Sequence, residues 1–174
     1  RWSKSKHFCI TLLLSKRPFS SYDIENIVGN FGTTILLEID CRTNPSFVDL
    51  ARAIQKQLWS DVKYLDVSGI EVARQINRHR DTPMALVAPV TFTSLMSKGE
   101  SPENVEATLK KCRTTRSCLA VPQVYLDHQI FEEAQGHLTI NWDYVRGLYP
   151  ANMIEGMFEA YLRKLRDLSH NPDT

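Results

Sequence analysis

Between residues 8 and 14 the chain alternates. Phe8, Ile10, Leu12 and Leu14 fall on one side; Cys9, Thr11 and Leu13 fall on the other. A period of two with one strongly apolar face predicts a β-strand. Pro18 and Ser20-Ser21 end it, and Ser21-Tyr22-Asp23-Ile24-Glu25 predicts a short helix before Gly29. Thr33 to Asp40 predicts a second strand. Ile35, Leu36 and Leu37 make its middle apolar on both faces, the pattern of a central strand covered on both sides.

The period then lengthens. Phe47, Leu50, Ile54, Leu58, Val62 and Leu65 recur at spacings of three and four, which predicts one amphipathic helix. Asn44-Pro45 reads as its start, with Asn as N-cap and Pro at the first helical position. Ser68-Gly69-Ile70-Glu71 has the spacing of a capping box, and Ile70, Ala73 and Ile76 follow on one face. Ala85 to Ser94 predicts a third strand, which Pro89 confines to an edge or a bulge. Residues 97–118 are polar and loop-like. Gln123 to Phe131 and Leu138 to Asp143 predict two strands joined by a turn at Gln135-Gly136. Pro150 opens a last helix with Met153, Met157, Tyr161, Leu165 and Leu168 on its face, and Ile154 and Phe158 beside them. No repeat, low-complexity tract or linker divides residues 1–174, so the expectation is one α/β domain.

Composition narrows the function classes. The chain has 174 residues, 43% hydrophobic and 24% charged, ordinary for a globular protein with a core and unlike a disordered one. The net charge of +1 gives no global field for nucleic acid or an anionic membrane. No apolar run approaches the roughly 20 residues of a membrane helix. The basic, then apolar, start is split by His7 and Thr11 and lacks a small-residue cleavage site, so it is not read as a signal peptide. The first residue is Arg, and the chain is expected to be cut from something longer. Cys9, Cys41, Cys112 and Cys118 form no CxxC pair and are expected to be reduced, in the cytoplasm.

Candidate chemistry is sparse. The five histidines include no pair and no HExxH, and nothing local supplies a metal site. There is no glycine-rich phosphate loop and no GxSxG elbow. Lys110, Lys111, Arg113 and Arg116 read first as a solvated loop, with a contact for an acidic partner domain as the alternative. Gln123-Val124-Tyr125-Leu126-Asp127-His128-Gln129 is the most unusual stretch. On a strand, Val124, Leu126, His128 and Ile130 share the core face, which makes His128 a packed, hydrogen-bonded residue. Gln123, Tyr125, Asp127 and Gln129 share the other face. Its amides suit the wall of a channel, although an ordinary exposed face also fits. In Pro89-Val90-Thr91-Phe92-Thr93-Ser94 hydroxyls gather toward a strand end, where sites often lie in open sheets.

Read in order, these segments resemble the heterocyclization domains of nonribosomal peptide synthetases, a variant of the condensation domain. Val28-Gly29-Asn30-Phe31-Gly32 and Leu36-Leu37-Glu38-Ile39-Asp40 resemble the family's VGDFT…LLEVD stretch. Pro89 to Ser94 resembles PVVFTS, and Pro122 to Gln129 resembles PQVxLDHQ. Trp2-Ser3, Phe8 to Leu12, Ser46-Phe47, Gln57-Leu58-Trp59, Ser68-Gly69-Ile70, Asn141-Trp142-Asp143, Tyr149-Pro150 and Met157 to Tyr161 continue the match in order. Asn30 and Gly32 depart from the usual Asp and Thr. Thr91 replaces a Val, and Leu119-Ala120-Val121 replace a polar SQT.

The resemblance implies an α/β fold, a mixed sheet with packed helices forming one chloramphenicol-acetyltransferase-like lobe. Residues 1–174 would be the C-terminal lobe of the domain, one wall of a cleft completed by an N-terminal lobe. The implied reaction joins an upstream acyl thioester to carrier-bound Cys, Ser or Thr and cyclodehydrates the amide to a thiazoline or oxazoline of a peptide natural product or siderophore. Asp127 and Thr93 take the catalytic positions. Gln123, Gln129, Ser94 and Asn30 take substrate-binding ones. No metal or directly bound cofactor is implied, since both substrates ride on the phosphopantetheine arms of peptidyl or aryl carrier domains beside an adenylation domain. Two other readings stay open: a degenerate lobe that only binds carriers or neighbouring domains, and a condensation domain that forms the amide without cyclizing it. The lobe is not expected to be active alone.

Overall fold

The computed structural model describes residues 2–16, 26–81, 85–96, 122–132 and 137–171. Three features predicted from sequence lie outside them: the helix at Ser21–Glu25, the basic cluster at 110–116 and the turn at Gln135-Gly136. Five strands form one mixed sheet: β1 (His7–Ser15), β2 (Gly32–Asp40), β3 (Val90–Leu95), β4 (Leu126–Glu132) and β5 (Leu138–Tyr144). Their spatial order is β2-β1-β3-β4-β5. β1 and β2 pair antiparallel along their whole length, His7 opposite Asp40 and Ser15 opposite Gly32. β3 runs parallel to both β1 and β4, and β5 returns antiparallel to β4.

Two predicted strand positions are reversed. β2 is an edge strand of the described sheet rather than a central one. Ile35, Leu37 and Ile39 are buried while Leu36, on the opposite face, is only partly so. Leu36 lies opposite Thr11 of β1. β3, which Pro89 was expected to push to an edge, is the central strand. It begins at Val90, so Pro89 precedes the ladder and costs it no donor. The Pro89 carbonyl instead accepts from the Tyr125 amide at 2.7 Å.

The core lies on one face of the sheet. Leu12, Ile35, Leu37 and Ile39 form its centre, and Ile10, Leu14 and Phe92 pack against them. Helix α1 (Phe47–Asp61) adds Ile54 and Leu58 from the 3.6-residue stripe. Full burial of side chains of this size contributes about 1.5–3 kcal/mol each, and the partly buried Ile54 and Leu58 contribute less. The helix starts later than Asn44-Pro45 suggests. Asn44 takes a left-handed φ of 48°, and its amide closes a turn on the Cys41 carbonyl at 3.2 Å. Ser46 is the N-cap, accepting from the Asp49 amide at 3.1 Å. At Asp61 the helix tightens into a 3₁₀ turn over Val62–Tyr64, so the stripe does not continue as one helix, although Leu65 still reaches the core.

Helix α2 (Gly69–His79) opens with the predicted capping box, Ser68 and Glu71 each satisfying the other's backbone amide. Helix α3 (Met153–His170) begins three residues after Pro150, behind Asn152 in the left-handed region. Its Phe158 and Tyr161 meet Trp142, and Tyr161 also meets His128. Strand parity puts Trp142 and His128 on the same side as Leu12 and Phe92. Helices α1 and α3 therefore cover one face of the sheet, and the other carries Thr11, Thr91, Thr93, Asp127 and Gln129 together with Leu13 and Leu36.

Candidate functional site

Register fixes what that second face presents. Across β1, β3, β4 and β5, Thr11, Thr91, Asp127 and Asp143 lie in one row. Leu13, Thr93, Gln129 and Asn141 form the next. Side chains in such rows are neighbours about 5 Å apart. Three of these polar residues are buried: Asp127 at 6% exposure, Thr91 and Thr93 at 8%. A carboxylate so withdrawn from water needs hydrogen bonds, and buried polar groups are seldom left without them. Among the described residues Asp127 has one well-formed partner. The Gln129 amide, two residues along the same strand face, donates to Oδ2 at 2.7 Å. Oδ1 is buried with no partner, and so is the Thr91 hydroxyl opposite it.

The structure thus brings Asp127, Thr91, Thr93 and Gln129 onto one face of two adjacent parallel strands. Thr93 pairs with Gln129, and Thr91 pairs with Asp127. Sequence reasoning missed Thr91, because Thr93 was singled out by its match to the family motif, whereas strand parity places Thr91 on the same face. The amide of Gln129, a candidate for substrate binding, donates to the Asp127 carboxylate. The group lies within the sheet, since Asp127 is the second residue of β4, and not beyond strand ends.

The other candidates are elsewhere. Ser94 is exposed and belongs to the opposite parity, beside Ile130. Gln123 is exposed in a turn with a left-handed φ of 64°, so the alternation assumed for residues 123–125 begins only at Leu126. Asn30 precedes β2, two strands from β3, and its side chain accepts from the Gly32 amide at 2.8 Å. That bond shapes the approach to β2.

His128 points away from Asp127, among the rings of Phe92, Trp142 and Tyr161 at 5.0–5.7 Å. It is packed as parity predicts. Its Nε2 has no hydrogen-bond partner, contrary to expectation. Burial holds its pKa below the ordinary histidine range, with the Asp127 charge opposing. Among the described residues no group of three or more His, Cys, Asp or Glu is arranged to hold a metal ion. Cys9 and Cys41 are unpaired. No described helix is long and apolar enough to cross a membrane.

Comparison with known proteins sets this site in context. The pattern of the family described as "Condensation domain" matches residues 1–174. Pyochelin synthetase PchF of Pseudomonas aeruginosa is 32% identical over 179 residues, covering 99% of this chain and 9% of that protein. Phenyloxazoline synthase MbtB of Mycobacterium tuberculosis is 31% identical over 176 residues, covering 99% and 12%. The EpoB cyclization-docking bidomain of a nonribosomal peptide synthetase from Sorangium cellulosum superposes with a TM-score of 0.80 at 34% identity, covering 99% of this chain and 34% of that one. The synthetase FmoA3 gives 0.79 at 30% identity, covering 96% and 18%. The chain spans only a small part of each of these proteins. The mixed sheet with packed helices is the fold these solved structures share.

Proposed function

Because the chain belongs to the condensation-domain family of nonribosomal peptide synthetases, we propose that it carries the working carboxylate of a heterocyclization domain and forms that domain's C-terminal lobe. One observation supports this most: Asp127 is buried on the face away from α1 and α3, with Oδ2 fixed by Gln129 and Oδ1 unpaired. The names of the cyclization bidomain and the phenyloxazoline synthase favour the same chemistry.

In the first stage, the amine of a carrier-bound Cys, Ser or Thr attacks an upstream acyl thioester. The C–N bond forms, the C–S bond breaks, and the departing thiol takes the amine's proton. In the second stage, the side-chain thiol or hydroxyl adds to the new amide carbonyl and its proton ends on the former carbonyl oxygen. The C–O bond then breaks. The ring nitrogen gives its proton to Asp127, Asp127 gives one to the departing oxygen, and water leaves as the C=N bond forms. One unpaired carboxylate oxygen suffices for a carrier that returns to its starting state. General acid–base help of this kind is typically worth about 10²–10⁴-fold. Thr93 lines the same face and orients the intermediate. Both substrates arrive on phosphopantetheine arms of carrier domains, with an adenylation domain supplying the amino acid.

The test is reconstitution of the whole synthetase containing this domain, with both carriers loaded, followed by intact-mass measurement. The expected product has lost one water beyond the amide. Amide without that loss would leave plain condensation. No amide at all would leave a binding lobe.

A further inference from the structure

Thr91 Oγ1 and Asp127 Oδ1 are both buried without a hydrogen-bond partner. The two residues are more than nine-tenths buried. They lie opposite one another in the parallel register of β3 and β4. Each unpaired buried polar atom weakens the fold, and a valine at position 91 would fill nearly the same volume without that loss. Their needs are complementary. The hydroxyl can donate, and the carboxylate oxygen can accept. Because Gln129 occupies Oδ2, the carboxylate cannot turn to satisfy Oδ1 without breaking the 2.7 Å bond. A ligand hydroxyl that accepts from Thr91 and donates to Oδ1 would satisfy both atoms at once.

We propose that Thr91 and Asp127 Oδ1 together bind one hydroxyl oxygen of the substrate, the oxygen that leaves as water. The proposal rests on the heterocyclization reading and adds to it a residue that the family motif does not supply, since Thr91 stands where that motif has Val. The tetrahedral intermediate carries one hydroxyl on the ring carbon. As its C–O bond stretches, negative charge gathers on oxygen, and a donor already aimed there grows stronger in the transition state. Thr91 neither gains nor loses a proton. The proton that completes the water comes from Asp127, which recovers one from the ring nitrogen. Thr91 is therefore a catalytic residue by contact with the reacting oxygen.

The experiment compares wild type, Thr91→Val and Thr91→Ser in the whole synthetase with loaded carriers, following linear and cyclized product separately. Thr91→Val should leave amide formation unchanged and slow water loss roughly 3–10-fold, the worth of one such hydrogen bond. Thr91→Ser should restore the rate. The Tm of the Thr91→Val protein should hold or rise, because a buried orphan hydroxyl has been removed. The inference is overturned if Thr91→Val cyclizes at the wild-type rate, if both stages slow together, or if the serine variant fails to restore. A parallel Asp127→Asn sample separates the two levels. If it blocks water loss while Thr91→Val does nothing, only the role of Thr91 falls. If it too cyclizes normally, the proton-carrying role of Asp127 falls as well, whereas wild type that forms only the linear amide overturns the heterocyclization reading itself.

Discussion

Two neighbouring residues on β4 illustrate how one strand serves two purposes. Asp127 turns toward the polar face, where Gln129 holds one of its oxygens. His128 turns the other way, into the rings of Phe92, Trp142 and Tyr161. Edge-to-face contacts of this kind contribute about 0.5–1.5 kcal/mol per pair beyond area burial. They suit a neutral imidazole, since burial lowers the His128 pKa. The unfolded chain therefore takes up a proton here at a higher pH, near the ordinary value of about 6.5. Stability should rise as pH climbs through that value. It should be lost on acidification, over the window between about 6.5 and the lowered native value. His128→Phe keeps the cluster aromatic and should flatten this part of the curve. Denaturant midpoints measured across the window check it, and a pH slope unchanged in the variant would contradict the assignment. Alternation in the sequence foretold which way each of these two side chains points. It could not foretell that Nε2 and Oδ1 lack partners, because hydrogen bonding across strands depends on register, and register is set by the whole sheet.

Among the elements, the junction of α2 with β2 is the most tightly specified. Gly69 is buried at the first helical position. A Cβ there would lie 3.1 Å from the Ile35 carbonyl carbon and 3.1 Å from Thr34 Oγ1. These are backbone and strand atoms with little room to yield. Gly69→Val should cost about 1–3 kcal/mol, the usual effect of overpacking, and lower the urea midpoint without changing the slope. A variant as stable as wild type would mean that α2 shifts freely on the sheet. The sequence showed α2 and its capping box because both signals are local. It showed the Ile54 and Leu58 stripe of α1 for the same reason. Strand order was not legible. Pro89 argued for an edge and Ile35-Leu36-Leu37 for a centre, and both arguments failed on non-local facts. The ladder of β3 begins after the proline, and β2 pairs on one side only, with β1. Gln123 was misplaced by extending the β4 alternation back across a turn that its left-handed φ reveals.

At the scale of the molecule, the sheet separates the apolar core from the proposed chemistry. Helices α1 and α3 and the apolar core occupy one face, while the rows Thr11-Thr91-Asp127-Asp143 and Leu13-Thr93-Gln129-Asn141 occupy the other. Changes on the second face can alter reactivity with little cost to the core. The motifs that pointed to Asp127 and Thr93 did so through resemblance. The structure adds the physical content, a carboxylate withdrawn from water with one oxygen oriented and one buried without a partner. The most direct measurement on this account is the ratio of linear to cyclized product on the carrier for Asp127→Asn in the intact synthetase. Asn keeps the shape of Asp, so the fold is retained while the proton carrier is removed. The account predicts amide formation near the wild-type rate and water loss slowed about 10²–10⁴-fold, roughly 3–5 kcal/mol of barrier, so that linear amide accumulates. Cyclized product formed at the wild-type ratio, or both stages halted equally, would contradict it.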